Sequence, residues 1–236
     1  MKKLLLFLLT SAVLSLVGVL IFHNVDNSIT ESDQIYISKI LEEDSLSLSL
    51  PKSFEEEIRF IMAVQNRVLS VAPINQGIPE GSPREPENLY NSRYGLCYDR
   101  SRVIEKILRT YNFKTRHITV LSTGISGSTT KALLTPGNES HALLEVLTQK
   151  GWMFVDSNAE FIGLDNKMNP IDMKELSKKS YGSIDWHSYN NLEYKVIYQT
   201  NFTYVIGLYS RHGRFYPPYN SIPDINWQEF SQNLIN

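Results

Sequence analysis

The chain has 236 residues, 42% hydrophobic and 20% charged, with a net charge of −2 and a pI near 6.2. That length suits one domain of ordinary size with attachments, and the balance is globular rather than disordered. No strong basic field is available to hold phosphate backbones, which argues against nucleic acid as a partner.

Met1-Lys2-Lys3 is followed by a run without charge over residues 4–22. As a helix rising about 1.5 Å per residue it would reach roughly 28 Å, close to the hydrocarbon thickness of a bilayer. The run is longer than the usual apolar stretch of a cleaved signal peptide, and no small-x-small site follows Phe22. The sequence therefore predicts a transmembrane signal anchor over residues 1–23, with membrane contact through residues 4–22; a cleaved signal is the alternative, and either exports the domain. Lys2 and Lys3 belong on the cytoplasmic side, which sends the remainder outside the cytoplasm, into the periplasm if the source is bacterial. Lipid attachment is excluded here because the single cysteine lies at 97.

Residues 24–52 are rich in acids and end in a Ser–Leu alternation before Pro51, and we read them as a polar spacer. Ser53 then has the form of an N-cap, with Glu55, Glu56 and Glu57 placed favourably in the first turn of a helix running to about Val71. Glycine and proline clusters over residues 73–86 mark a loop. The next helix starts at Cys97, carries Val103, Ile104, Ile107 and Leu108 on one side, and stops near Asn112, a residue tolerant of the left-handed conformation. A strand is predicted over residues 116–121 and a surface excursion over 122–140. Residues 141–147 and 152–155 read as a hairpin, and 194–208 as one or two more strands. Helices first and an antiparallel sheet afterwards make the class α+β. The catalytic core is placed at residues 53–180, with an aromatic-rich extension at 181–236 that completes the sheet.

Exported proteins usually pair their cysteines, and Cys97 has no partner in its own chain. A buried small hydrophobe or an intermolecular disulfide would account for it. Its neighbourhood points elsewhere. At a helix start, free N–H groups and the positive end of the dipole favour a thiolate and can hold an oxyanion. A thiolate nucleophile needs a proton-transfer partner, and His141 opens one strand of the hairpin while Asp156 closes the other. If Leu147 pairs with Trp152, His141 becomes the diagonal neighbour of Asp156 on one face, whereas a one-residue slip would separate them. In that register Asp156 can orient the imidazole. His23, His117, His187 and His212 have no motif around them, His117 reading as a core or edge histidine. No metal-binding pattern is present, and neither a metal nor any other cofactor is implied.

The segment Tyr94-Gly95-Leu96-Cys97-Tyr98-Asp99-Arg100-Ser101-Arg102 resembles the nucleophile segment of the transglutaminase-like superfamily. Phe113-Lys114-Thr115-Arg116-His117 is similar to the family's turn into its first strand. Ser140-His141-Ala142-Leu143-Leu144-Glu145-Val146 resembles its histidine strand, and Gly151-Trp152-Met153-Phe154-Val155-Asp156 its aspartate strand. The resemblance covers residues 54–161 and implies a papain-like fold with Cys-His-Asp acyl-transfer chemistry through Cys97, His141 and Asp156. Asn112, where the family usually has glycine, and the lengthened 122–140 segment depart from the pattern. No side chain is assigned to the oxyanion hole: Gln65 and Gln76 lie upstream, where a glutamine is more often a solvated surface residue.

The expected activity is hydrolysis of an amide, as a peptidase or amidase, rather than cross-linking, because hydrolysis needs no second binding site. Placement outside the cytoplasm suggests a cell-envelope protein or peptide as substrate. The alternative is a catalytically idle module that binds envelope partners, since a fold does not fix a function. Oligomeric state is open. Among the tail's aromatics, Arg211, His212 and Arg214 either belong to a packing region or bind an anionic substrate group near the cleft.

Overall fold

The computed structural model describes residues 2–42, 50–79, 82–135, 137–192, 197–209 and 224–234. Helix α1 (Lys2–Phe22) is apolar on every side, and Phe7, Leu8, Leu9, Val13, Leu14, Leu16, Val17, Ile21 and Phe22 are all exposed. Its described apolar side chains begin at Phe7, short of the roughly 20 residues that a span requires, and among the described residues no helix is long and apolar enough to cross a membrane. The end of α1 is fastened to the domain. His23 Nδ1 lies 3.0 Å from Asp224 Oδ1, and Trp227 Nε1 donates to the Leu20 carbonyl at 3.2 Å.

The stretch read as a spacer contains helix α2 (Glu31–Glu42), which buries Ile37, Ile40 and Leu41 in the main core. Its acid Asp33 is buried too, and accepts from Lys106 Nζ at 2.6 Å. Acidic composition suggested solvent, but a buried cation elsewhere in the chain takes up this charge. The Ser–Leu alternation lies outside the described residues except for Leu50.

Helix α3 (Phe54–Val71) starts as the capping pattern predicts, with the Glu56 N–H donating to Ser53 Oγ at 3.3 Å. A short helix, α4 (Pro86–Ser92), follows the loop and leads into α5 (Cys97–Thr110). Asn112 closes α5 with φ +65°, and Phe113 packs against Phe60, their rings 5.5 Å apart. The polar side of α5 is not solvated. Asp99, Arg100, Arg102, Glu105 and Lys106 are all buried. Arg84 pairs with Asp99 at 2.9 Å, and Glu85 lies 3.2 Å from Arg102 and 2.7 Å from Lys106. The periodicity marks this side as polar, while its partners come from loops and helices that periodicity does not place.

Four strands form the main sheet in the order β3-β2-β1-β4, antiparallel throughout. These are β1 (Lys114–Ser122), β2 (Ser140–Thr148), β3 (Gly151–Val155) and β4 (Phe202–Ile206). The 122–140 excursion carries one short helix, α6 (Thr129–Leu134), and a second, α7 (Met173–Lys178), follows the hairpin. On one face of the sheet Leu144, Val146, Met153 and Val155 share a core with Val103, Ile104, Ile107 and Leu108 of α5 and with α3. On the other, Ile118, Val120, Leu143 and Phe154 cluster with Phe161, Trp186, Tyr198 and Ile206. The sheet is covered on both sides, a mixed α+β arrangement.

Past residue 180 the chain joins this second core and adds β4 beside β1, while β5 (Leu208–Tyr209) and β6 (Asp224–Ile225) pair separately. Helix α8 (Trp227–Phe230) runs into a 3-10 turn (Ser231–Leu234). Phe161, Tyr181, Trp186 and Tyr198 form a ring cluster with centroids 5.1–6.3 Å apart, while Tyr189 and Trp227 are exposed. Arg211, His212 and Arg214 lie outside the described residues.

Candidate active site

Cys97 is the first residue of α5, and its neighbours explain why the helix begins there. A Cβ on Gly95 would stand 2.8 Å from Leu89 Cδ1 and 3.1 Å from the Asp99 Cβ, so a larger residue would have to displace the Leu89 side chain and crowd the first turn of α5. Leu96 is extended (φ −87°, ψ 178°), and Asp99 reaches back to accept its N–H at 2.9 Å. As the first helical residue, Cys97 directs its own N–H out of the helix, where no intrahelical partner exists. Its side chain is half-buried.

The hairpin has the register that the argument from sequence requires. Leu147 pairs with Trp152 and Leu144 with Val155, so continuation of the ladder sets Leu143 opposite Asp156 with His141 diagonal to it. The side chains meet: His141 Nε2 lies 2.9 Å from Asp156 Oδ2. Nδ1 is left to the Cys97 thiol, which is a hydrogen-bond partner of this ring. The competing acid on the same strand, Glu145, is engaged elsewhere, 2.6 Å from Arg116 Nε across the strands and accepting the Met173 N–H at 2.6 Å.

Electrostatics follow from this geometry. Burial works against a charged His141, but the Asp156 carboxylate, with the Cys97 hydrogen bond adding to it, outweighs burial and pushes the imidazole up to about 10. Burial would likewise raise Asp156, yet the His141 charge and its hydrogen bonds hold the carboxyl below its usual range. Oδ1 accepts the N–H groups of Asn158 (2.7 Å) and Ala159 (3.0 Å), and Oδ2 accepts the Tyr198 hydroxyl at 2.8 Å.

Residues 48–157 match the family model of the transglutaminase-like superfamily. All three residues of the constellation fall inside this transglutaminase-like block. No curated protein matches the chain. Among solved structures, the 1.9 Å crystal structure of a candidate cysteine protease from Cytophaga hutchinsonii aligns with 60% of this chain at 13% identity and a TM-score of 0.36. The alignment covers 42% of that protein's length.

Two contributors were not assigned from sequence. Tyr198 lies well past the transglutaminase-like block, on a short 3-10 turn (Ile197–Gln199), and read only as one more aromatic of the tail. Gln65 sits inside the block but is not a solvated residue. It is 1% exposed and donates through Nε2 to the carbonyls of Asp156 (2.7 Å) and Phe161 (2.9 Å). It pins the turn that carries the aspartate and does not serve as an oxyanion donor. Gln76 is exposed. His117 is a core histidine, 1% exposed, with burial taking it down to about 4. A cleft of about 240 Å³ opens beside Cys97 and His141, lined also by Asn75, Leu96, Tyr98, Ser140, Ala142 and Asn158.

Proposed function

We propose that this protein is a cysteine-dependent acyl-transfer enzyme, a peptidase or amidase, with Cys97 as nucleophile, His141 as proton carrier and Asp156 as the orienting acid. One observation carries the reading: a single imidazole joins a buried carboxylate at 2.9 Å and a thiol at a helix N-terminus, beside an open cleft. The match to the transglutaminase-like model supports the chemical class.

In this mechanism the Cys97 proton resides on His141. The sulfur attacks the amide carbon, a C–S bond forms, and the carbonyl π pair moves to oxygen. When that pair returns, the C–N bond breaks with its electrons on nitrogen, which takes the proton from His141 and departs as the amine. Water then adds to the thioester with His141 as base, and the acid leaves as the sulfur recovers its pair. Hydrolysis is favoured over transfer to a second amine because it requires no further binding site.

We further propose that α1 anchors the enzyme in a membrane and that the substrate is an envelope protein or peptide outside the cytoplasm. The uncharged run at residues 4–22, two lysines before it and the exposed apolar side chains of the helix support the anchor. A helix apolar on all sides gains nothing from water.

The test is thiol reactivity of the full chain in detergent micelles at pH 6. Wild type should alkylate with iodoacetamide at least about tenfold faster than His141→Ala, because a paired thiolate is the reacting species. Equal rates would remove the nucleophile assignment.

A further inference from the structure

The cleft beside Cys97 is bordered by two asparagines, Asn75 and Asn158. Behind them lies Arg100, 3% exposed, whose Nη1 donates to Asn158 Oδ1 at 2.7 Å and to Asn75 Oδ1 at 3.4 Å. Its Nε and Nη2 hold the carbonyls of Ala72 (2.8 Å) and Ile74 (3.1 Å). A guanidinium only donates, so each amide turns its oxygen to Arg100, Asn158 closely and Asn75 at the long end of hydrogen-bond range, and each Nδ2 faces away from it. Neither Nδ2 donates to any described residue.

Position separates the two. Ile74 bridges to Tyr94, and the Gly95 N–H donates to the Ile74 carbonyl at 3.1 Å, so Asn75 runs beside the residues that lead into Cys97. Asn158 is on the histidine side, its N–H bound to Asp156 Oδ1 at 2.7 Å. In a tetrahedral intermediate the oxyanion and the leaving group point apart. His141 must face the leaving group, so the oxyanion's donors belong on the other side, with the Cys97 N–H.

We propose that Asn75 Nδ2 and the Cys97 backbone N–H form the oxyanion hole, with Arg100 the positioning residue that keeps the Asn75 amide turned to the cleft. This rests on the cysteine-enzyme reading above. As the Cys97 sulfur bonds to the carbonyl carbon, the π pair moves to oxygen and the negative oxygen takes both N–H donors. The charge disperses again when the leaving group departs with its bonding pair.

Two reagents on the full chain in detergent micelles separate this from a structural function. Acylation by p-nitrophenyl acetate passes through an oxyanion, whereas alkylation by iodoacetamide displaces iodide from a saturated carbon and forms none. Asn75 is exposed, so Asn75→Ala leaves the fold in place. It should slow p-nitrophenolate release about 10²- to 10³-fold, the usual effect of losing one oxyanion donor, and leave alkylation unchanged. Asn158→Ala should slow release less than Asn75→Ala does. Arg100→Lys should slow release but not alkylation, and Asn75→Ala added to it should bring little further loss, since the two act through one amide. Release unaffected by Asn75→Ala, equal slowing of both reactions, or a loss that appears in Asn158→Ala instead would each overturn the assignment. A wild-type chain with no Cys97-dependent release would overturn the enzyme reading itself, and this assignment with it.

Discussion

The Tyr198 hydroxyl donates to the same Asp156 oxygen, Oδ2, that faces His141 Nε2, at 2.8 and 2.9 Å. Two donors on one oxygen fix the carboxylate's rotation, while two backbone N–H groups fix the other oxygen. The carboxylate is held by three donors before it touches the histidine. Tyr198→Phe should lower stability by about 1–3 kcal/mol, the usual loss for a buried hydrogen bond to a charged group, and should reduce turnover by less than about tenfold. Denaturant unfolding with p-nitrophenyl acetate kinetics checks both, and full stability in the variant would contradict the anchoring function of the hydroxyl.

Asp156→Asn should leave the fold intact and slow acylation roughly 10- to 10³-fold, a smaller penalty than in serine enzymes because the thiolate pair already exists. With the carboxylate gone, only burial and Cys97 act on the ring, so His141 should lose its proton well below the value of about 10 it holds in the native protein. Histidine NMR titration reads that fall directly.

Glu145→Gln is the contrasting case. Its carboxylate pairs with Arg116 and receives the Met173 N–H, so the variant should lose stability with turnover per folded molecule preserved. Equal catalytic damage from Glu145→Gln and Asp156→Asn would mean that the orienting acid is misassigned.

Glu229 gives the fold a pH dependence. Burial raises its carboxyl to about 8, and the neighbouring Glu105 carboxylate adds to the effect against Arg109 and the His117 N–H. The Tyr209 hydroxyl lies 3.0 Å from Glu105 and 3.0 Å from Glu229, and with one proton it can donate to only one of them. Between pH 4.5 and 8 the folded chain keeps a proton at Glu229 that the unfolded chain has released. Stability from this group therefore falls as pH rises through that window, by on the order of a few kcal/mol, and is constant above it. Glu229→Gln should flatten that part of the profile and be relatively more stable at pH 8.5 than at pH 5. An unchanged slope in thermal unfolding would place the retained proton elsewhere.

For the anchor, a reporter fused after Asn236 should be active only outside the cytoplasm, given Lys2 and Lys3 on the inner side. Cytoplasmic activity would reverse the proposed topology.

The sequence by itself determined the elements that follow from local pattern. Ser53 and three glutamates placed the start of α3, Gly95-Leu96-Cys97 placed a thiol at a helix N-terminus, and period-two alternation named the register that His141 and Asp156 need, which the ladder then supplied. That register alone brought His141 to Asp156, because the two are only 15 positions apart across one turn. What surrounds them was decided by tertiary structure. Tyr198 is 42 positions from the aspartate it holds, and Gln65 is 91 from the turn it pins. The buried charges of α5 behave likewise: Lys106 meets Asp33 from 73 positions away, which turned an expected spacer into a packed helix. Periodicity reports which side of an element is polar, since that depends on spacing along one chain segment. It cannot report whether that side meets water or a distant carboxylate, since that depends on how separate segments pack.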